Sequence, residues 1–329
     1  MAQKLLTKES VCSVLDETED VGFIQSAEGH VEFKQVADAT ELKFNDDEFV
    51  IDDNAFTKAA RVVGIPASYV GKTPKELFIS HLNHHYNQPD KNIVLAHKDN
   101  SIVDVTKKVV DVVSNREMFD KAIEAIGENE IKGFNHVFND LSYTSVDIVC
   151  NKDFEAMPGD QLFGGVRIQN SILGESPIEV SAYIYRQVCS NGAIAPNFLY
   201  KWSRRNVEQD VMGWLGQVVK QAYGEVDSEF SRLRKLPEIK LGDHTSSVLK
   251  SYFRDWKLPS GLREEVMGEL ANIEGEVTLY DVWCAVAKVG TYSEKVLANP
   301  KMRRSVQAMA GDVIDHPDLC DTCHQKLQH

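Results

Sequence analysis

The sequence predicts an α+β protein: a mixed or antiparallel sheet with packed helices, followed by a helical C-terminal region. Three observations lead there. Apolar and polar residues alternate with period two in several stretches before Pro196. After Pro196 the apolar residues fall into a 3.6-residue stripe, at 207, 211, 214, 215, 218, 222, 226, 230 and 233. Strands precede helices as blocks instead of alternating with them, which argues against a doubly wound parallel sheet.

The elements follow in order. Val21–Gln25 and His30–Val36 alternate as half-buried strands do. Residues 53–62 read as a helix capped by Asp53 or Asn54, and Gly64-Ile65-Pro66 ends it. A second helix follows Thr73, with Pro74 at its first position. Asn92–His97 and Ser101–Thr106 flank Lys98-Asp99-Asn100, the pattern of a β-hairpin. Residues 115–127 read as a helix between Asn115 and Gly127. Strands are expected at 133–138, 142–150, 164–171 and 178–188, punctuated by Asn139-Asp140 and Pro158-Gly159. Helices are expected from Val207 nearly to Pro237, then at 245–256, 260–273, 278–289 and 293–310. Thr278 and Asp281 have capping-box spacing, and Gly290 reads as a C-cap.

These elements suggest four segments: an acidic, strand-tending stretch at 1–50, an α+β core at 51–200, a helical region at 201–315, and a Cys/His tail at 316–329. The charge divides unevenly among them. The chain of 329 residues carries 36 basic and 50 acidic side chains, a formal −14. Residues 1–60 hold 14 acids and 5 bases, whereas 186–263 hold 13 bases and 8 acids. Such asymmetry permits a basic face on an acidic molecule. No run approaches the ~18 apolar residues of a membrane span. The first twenty residues carry five acids and no long apolar stretch, so the expectation is a cytoplasmic protein without a secretory leader. Cys12, Cys150, Cys189 and Cys284 are widely spaced and read as reduced, partly buried thiols.

No phosphate loop, dinucleotide fingerprint, zinc-protease motif or nucleophile elbow is present. Their absence removes the common enzyme classes without excluding an enzyme, and the expectation leans to a non-catalytic protein. Two strands carry the densest polar pattern, Gly164–Gly174 and Tyr183–Gly192. Arg167 shares a strand face with Gln169, and Arg186 opposes Tyr183 and Tyr185. The two arginines are candidate phosphate ligands, with the tyrosines as stacking platforms. The basic segment adds Lys201, Trp202, Arg204, Arg205, Lys220, Arg232, Arg234 and Lys235. Cations for the phosphate backbone beside aromatic planes for bases are the chemistry of single-strand binding. In the tail, Cys320 and Cys323 with His324 and His329, or His316, match a tetrahedral zinc set; no other cofactor is called for. His81 and His85 stand four apart on a helix but lack a carboxylate at metalloenzyme spacing, so they read as helix surface.

The two strands also carry a resemblance. Gly165-Val166-Arg167-Ile168-Gln169-Asn170-Ser171 and Tyr185-Arg186-Gln187-Val188-Cys189-Ser190-Asn191-Gly192 resemble the phage- and plasmid-related family of unknown function numbered 932. Val63–Tyr69, Leu77, Leu82-Asn83 and Thr278–Lys288 are similar to its flanking helices, so the likeness spans about residues 50–310. At Ser114-Asn115-Arg116-Glu117 the chain departs from the family's usual Ser-Asp-Arg-Tyr-like stretch. The resemblance implies a mobile-element origin, in the host cytoplasm if phage-encoded. The expected function is a homo-oligomeric protein that binds or anneals single-stranded nucleic acid in recombination or replication. The alternative is a module directed at a host protein, such as an anti-defence factor or DNA mimic, which the net −14 also suits.

Overall fold

The structure, a computed structural model, describes all residues except 1–4, 37–38, 71, 89–92, 107–112, 175, 187–190, 203–209, 243–244, 256, 298 and 316–329. It is α+β, with one mixed and one antiparallel sheet. The chain forms two compact units that interleave in sequence: residues 1–15, 115–171 and 176–329 make one, and residues 16–114 and 172–175 the other.

Among the described residues the smaller unit holds six strands: β1 (Val21–Gln25), β2 (Val31–Val36), β3 (Ala39–Phe44), β4 (Asp47–Ile51), β5 (Val94–Lys98) and β6 (Ser101–Thr106). Their order is β1-β5-β6-β4-β3-β2, antiparallel except for the β4–β6 pair. The expected hairpin is β5–β6, and Asp99 takes the positive φ of 52° that its turn needs. Asp52, one residue before the expected cap, accepts from Ala55 N and starts α2 (Asp53–Val62). After α3 (Ala67–Val70) comes α4 (Lys75–Tyr86). Phe33, Phe56, Phe78 and Tyr86 meet edge to face in the core.

The helix that carries His81 and His85 has a structural task, and asparagines perform it. Asn83 exchanges two hydrogen bonds with the backbone of Phe33, at 2.6 and 3.0 Å. Asn87 does the same with Val31, at 3.1 and 2.7 Å. Strand β2 is the sheet's outer strand, and these side-chain amides take the place of a missing neighbour. An edge satisfied this way cannot recruit another strand.

The larger unit begins with α1 (Lys8–Asp16), which the acidic N-terminal stretch did not suggest. Val11, Cys12 and Leu15 are its buried stripe. Then come α5 (Asn115–Ile126) and five antiparallel strands: β7 (Ile131–Asn139), β8 (Thr144–Met157), β9 (Asp160–Asn170), β10 (Ile178–Arg186) and β11 (Asn191–Trp202), ordered β11-β10-β9-β8-β7. Strand β11 corrects the expectation that helix begins after Pro196. Its pairing with β10 continues to Trp202, with Pro196 in the irregular stretch between the Ser181 and Tyr183 registers. A proline lacks the N–H that a ladder needs, so an outermost strand with a bulge is where it fits. The remaining helices are α6 (Val211–Leu233), α7 (Thr245–Asp255), α8 (Ser260–Ala271), α9 (Leu279–Tyr292), α10 (Glu294–Leu297) and α11 (Pro300–Asp315). The Thr278–Asp281 capping box is formed. Gly290 is not a C-cap: α9 runs through it, and a Cβ there would stand 3.0 Å from Val306 on α11. Its role is close helix packing.

Alternation sorts the central strands into two faces. Val146, Ile148, Val166, Ile168, Val180, Ala182 and Ile184 lie on one, and Ala182 and Ile184 join the apolar core with Val226 and Phe230 of α6. The other face is polar and carries the candidate site.

Candidate functional site

Two neighbouring rungs of the sheet form the floor of the site. The first runs His136, Asp147, Arg167, Ser181 across β7, β8, β9 and β10. The second runs Phe138, Ser145, Gln169, Glu179 and continues at Lys201 on β11. Helix α11 supplies Arg303, Arg304 and Gln307 above them. Together His136, Tyr143, Ser145, Arg167, Arg303 and Arg304 line a cavity of about 60 Å³. Phe138 forms part of its wall, and Leu297, which is 54% exposed, also lines it.

Arg167, 3% exposed, is the centre of the floor. It grips Asp147 in a two-pronged ion pair, with Nη2 to Oδ2 at 2.6 Å and Nε to Oδ1. Its Nη1 donates to Gln307 Oε1 at 2.6 Å, and Gln307 Nε2 donates to Thr291 at 3.2 Å. Burial disfavours the Asp147 charge, but the Arg167 guanidinium outweighs it and holds the carboxyl below its usual range. Arg304 pairs with Glu179. Gln169 donates to Tyr143 Oη at 2.7 Å, and the Tyr143 hydroxyl also bonds the Ser145 side chain. Asn135 donates to Tyr183 Oη at 2.7 Å, and the Arg167 guanidinium lies 5.0 Å from the Tyr183 ring centre.

Among the described residues of this face, one charge lacks a neutralising partner. Arg303 is 9% exposed, its Nε is buried without a hydrogen-bond partner, and its guanidinium has no ion pair among the described residues. Burial presses its pKa down; Asp147 opposes that and Arg167 reinforces it. His136 is half-buried and pushed down to about 4, first by burial and then by Arg303. At neutral pH it is an uncharged imidazole with one donor and one acceptor.

The sequence candidates separate in the structure. Arg167 faces an internal carboxylate and not open solvent, and so does Arg186. The latter binds Asp160 through Nε–Oδ1 at 2.8 Å and Nη2–Oδ2 at 2.6 Å, and Tyr280 adds a bond to Asp160 Oδ2 at 2.7 Å. Cys284 lies beside this cluster, and burial pushes its thiol up to about 12, far from thiolate chemistry at neutral pH. Lys220, Arg234 and Lys235 are exposed on α6 and just after it. Arg234 covers the Phe154 ring at 4.7 Å, and Arg232 bonds Glu229 at 3.1 Å. Lys201 and Trp202 end β11, outside the helical region expected to begin at 201. Arg204 and Arg205 lie outside the described residues, as do Cys189, His316, Cys320, Cys323, His324 and His329. Among the described residues no group of three or more His, Cys, Asp or Glu is placed to hold a metal. Nor, among them, is any helix long and apolar enough to cross a membrane.

The Asn170-Ser171 element that helps carry the family resemblance is internal. Asn170 Nδ2 donates to Asn115 Oδ1 at 2.8 Å, and Asn115 donates to Asn139 and Thr144 at 3.0 and 2.8 Å. Asn139 in turn donates to Val14 O at 2.6 Å. These bonds tie α5 and α1 to the strand ends.

Arg303 and His136 were not among the sequence candidates. One signal marked the first. Arg303 shares the buried stripe of α11 with Val306, Gln307, Ala310 and Val313. A cation on a buried stripe requires either a partner or a ligand. No family model, curated protein or solved structure matches the chain.

Proposed function

We propose that the chain is a non-catalytic protein that binds single-stranded nucleic acid through its phosphate backbone, as a homo-oligomer and in a mobile-element setting. One observation carries the reading. The basic–aromatic segment Tyr200-Lys201-Trp202 ends the outermost strand of the five-stranded sheet, and Lys201 falls on the rung that continues Glu179, Gln169 and Ser145. That rung borders the face roofed by Arg303 and Arg304. The alternation along β11 puts Lys201 at a register position of the polar face and its neighbours Tyr200 and Trp202 at positions of the opposite face, so the support for phosphate recognition is the cation next to the arginines. The mobile-element setting rests on the likeness of the Gly165–Ser171 and Tyr185–Gly192 segments to the family named above. The tail cysteines Cys320 and Cys323, with His324 and His329, are proposed as a zinc set, checked by metal content before and after Cys323→Ser.

The test is oligonucleotide binding as a function of salt. Counterion release makes affinity for a short oligo-dT fall steeply between low and physiological salt. Replacing Arg204 and Arg205 with Ala should flatten the log–log slope by about 2, one for each lost phosphate contact. Trp202→Ala should weaken binding by about 1–3 kcal/mol with little change in slope, because stacking releases few counterions. No oligonucleotide binding at low salt, for monomer or oligomer, would overturn this reading and favour a host-protein partner.

A further inference from the structure

We propose that the cavity roofed by Arg303 is a binding site for one phosphoryl group. The inference deepens the single-strand reading and rests on it only for the source of that group. The geometry is specific. Arg167 is neutralised by Asp147 and Arg304 by Glu179, so Arg303 is left as one uncompensated positive charge. A buried guanidinium without a counter-charge is costly, and an anion from solvent removes the cost. The cavity of about 60 Å³ has room for one small oxyanion.

Its donors select among anions. A planar carboxylate is satisfied by one guanidinium fork. Here the donors come from different sides: Arg303 and Arg304 from the helix above, one hydroxyl hydrogen from the bonded Ser145–Tyr143 pair at the sheet, and His136 from the neighbouring strand. Donors spread in three dimensions suit a tetrahedral group. The ring of His136 is uncharged near pH 7 and can donate from one nitrogen without adding a second buried charge. The phosphoryl group could come from the end of a nucleic-acid strand or from free inorganic phosphate.

Thermal melting with sodium phosphate against sodium chloride at matched ionic strength tests the site. The wild-type melting temperature should rise with phosphate and saturate, as binding to the native state requires. Arg303→Gln should lower phosphate affinity at least tenfold. Without phosphate it should melt no lower than wild type, because it removes an unpaired charge. Arg303→Lys keeps the charge and should retain part of the shift, which guards against a Gln variant that fails to fold. No phosphate-specific shift in the wild type, or a full shift in Arg303→Gln, overturns the site. Oligo-dT with a 5′-phosphate or a 5′-hydroxyl separates the sources: a tenfold preference for the phosphate, competed by inorganic phosphate, assigns the strand end. A phosphate shift lost in Arg303→Gln, without any oligonucleotide binding, upholds the site with free phosphate as its ligand and removes the single-strand reading. Oligonucleotide binding that is indifferent to Arg303→Gln, with no phosphate shift, does the reverse.

Discussion

The two faces of the five-stranded sheet are built from the same strands by opposite rules. On one, Val146, Ile148, Val166, Ile168 and Val180 are buried and apolar, and Ala182 and Ile184 pack in the core shared with α6. On the other, Asp147, Arg167, Gln169, Glu179 and Ser181 are buried to a similar degree but polar. Burial therefore does not distinguish the faces; the need for partners does. An apolar face is stabilised by area removed from water and tolerates changes of similar volume. A polar face holds only while each donor and acceptor is answered, so its members depend on one another. Arg303 is the place where that face is incomplete, and an incomplete buried network points outward to a ligand.

The largest effect that would sharpen the contrast is the loss of Asp147. Asp147→Ala leaves Arg167 buried without its carboxylate, and removing one partner of a buried pair costs about 3–5 kcal/mol. Ile168→Val on the apolar face should cost only about 0.5–1.5 kcal/mol. Chemical denaturation of both variants gives the comparison. If Asp147→Ala were as mild as Ile168→Val, the mutual dependence claimed for the polar face would be wrong.

Acid should also act on one face and spare the other. His136 is pushed down to about 4 in the fold, against about 6.5 for an unfolded chain. Below pH 6.5 the unfolded chain gains a proton that the native protein does not. Native stability is therefore full above 6.5 and falls by about 3 kcal/mol as the pH drops to 4. Asp147, held below its usual range, adds a further loss only at lower pH. His136→Gln should flatten the profile between pH 6.5 and 4 while leaving the more acidic part in place. An unchanged profile would mean that another group carries the acid response.

The apolar face was legible in the sequence because period two and period 3.6 are local signals. Ile168 and the stripe of α6 announce themselves within a dozen residues. The polar face was legible only in part. Arg167 and Gln169 were visibly on one side of a strand, but Asp147 is 20 residues from Arg167 and Gln307 is 140. Spacing cannot show that such residues meet, so Arg167 looked available to a ligand when its donors were already engaged. Strand β11 was missed because Pro196 is a strong breaker in local reading, while the neighbour that keeps the strand in place is β10. The asparagine pair Asn83 and Asn87 was hidden behind the histidines between and beside them. Its i, i+4 spacing matters only because an outer strand lies next to that helix.

The smallest effect isolates the contact between strand and helix on the apolar face. Gly164 and Gly165 are adjacent on β9 and so point to opposite faces. A Cβ at Gly164 would stand 1.9 Å from Val226 Cγ1, a side-chain methyl of α6. Overpacking of this sort costs about 1–3 kcal/mol. A Cβ at Gly165 would meet the backbone carbonyl of Ile148 at the same distance, and a backbone atom cannot rotate away. Gly164→Ala should therefore be the milder of the two, and it should also be repairable. Val226→Ala removes the obstructing methyl, so the double variant should lose less stability than the sum of the single losses. That coupling should be absent between Gly165→Ala and Val226→Ala, because Val226 is not the obstacle there. Additive losses at Gly164 and Val226 would place α6 farther from β9 and undo the assignment of that helix to the apolar face.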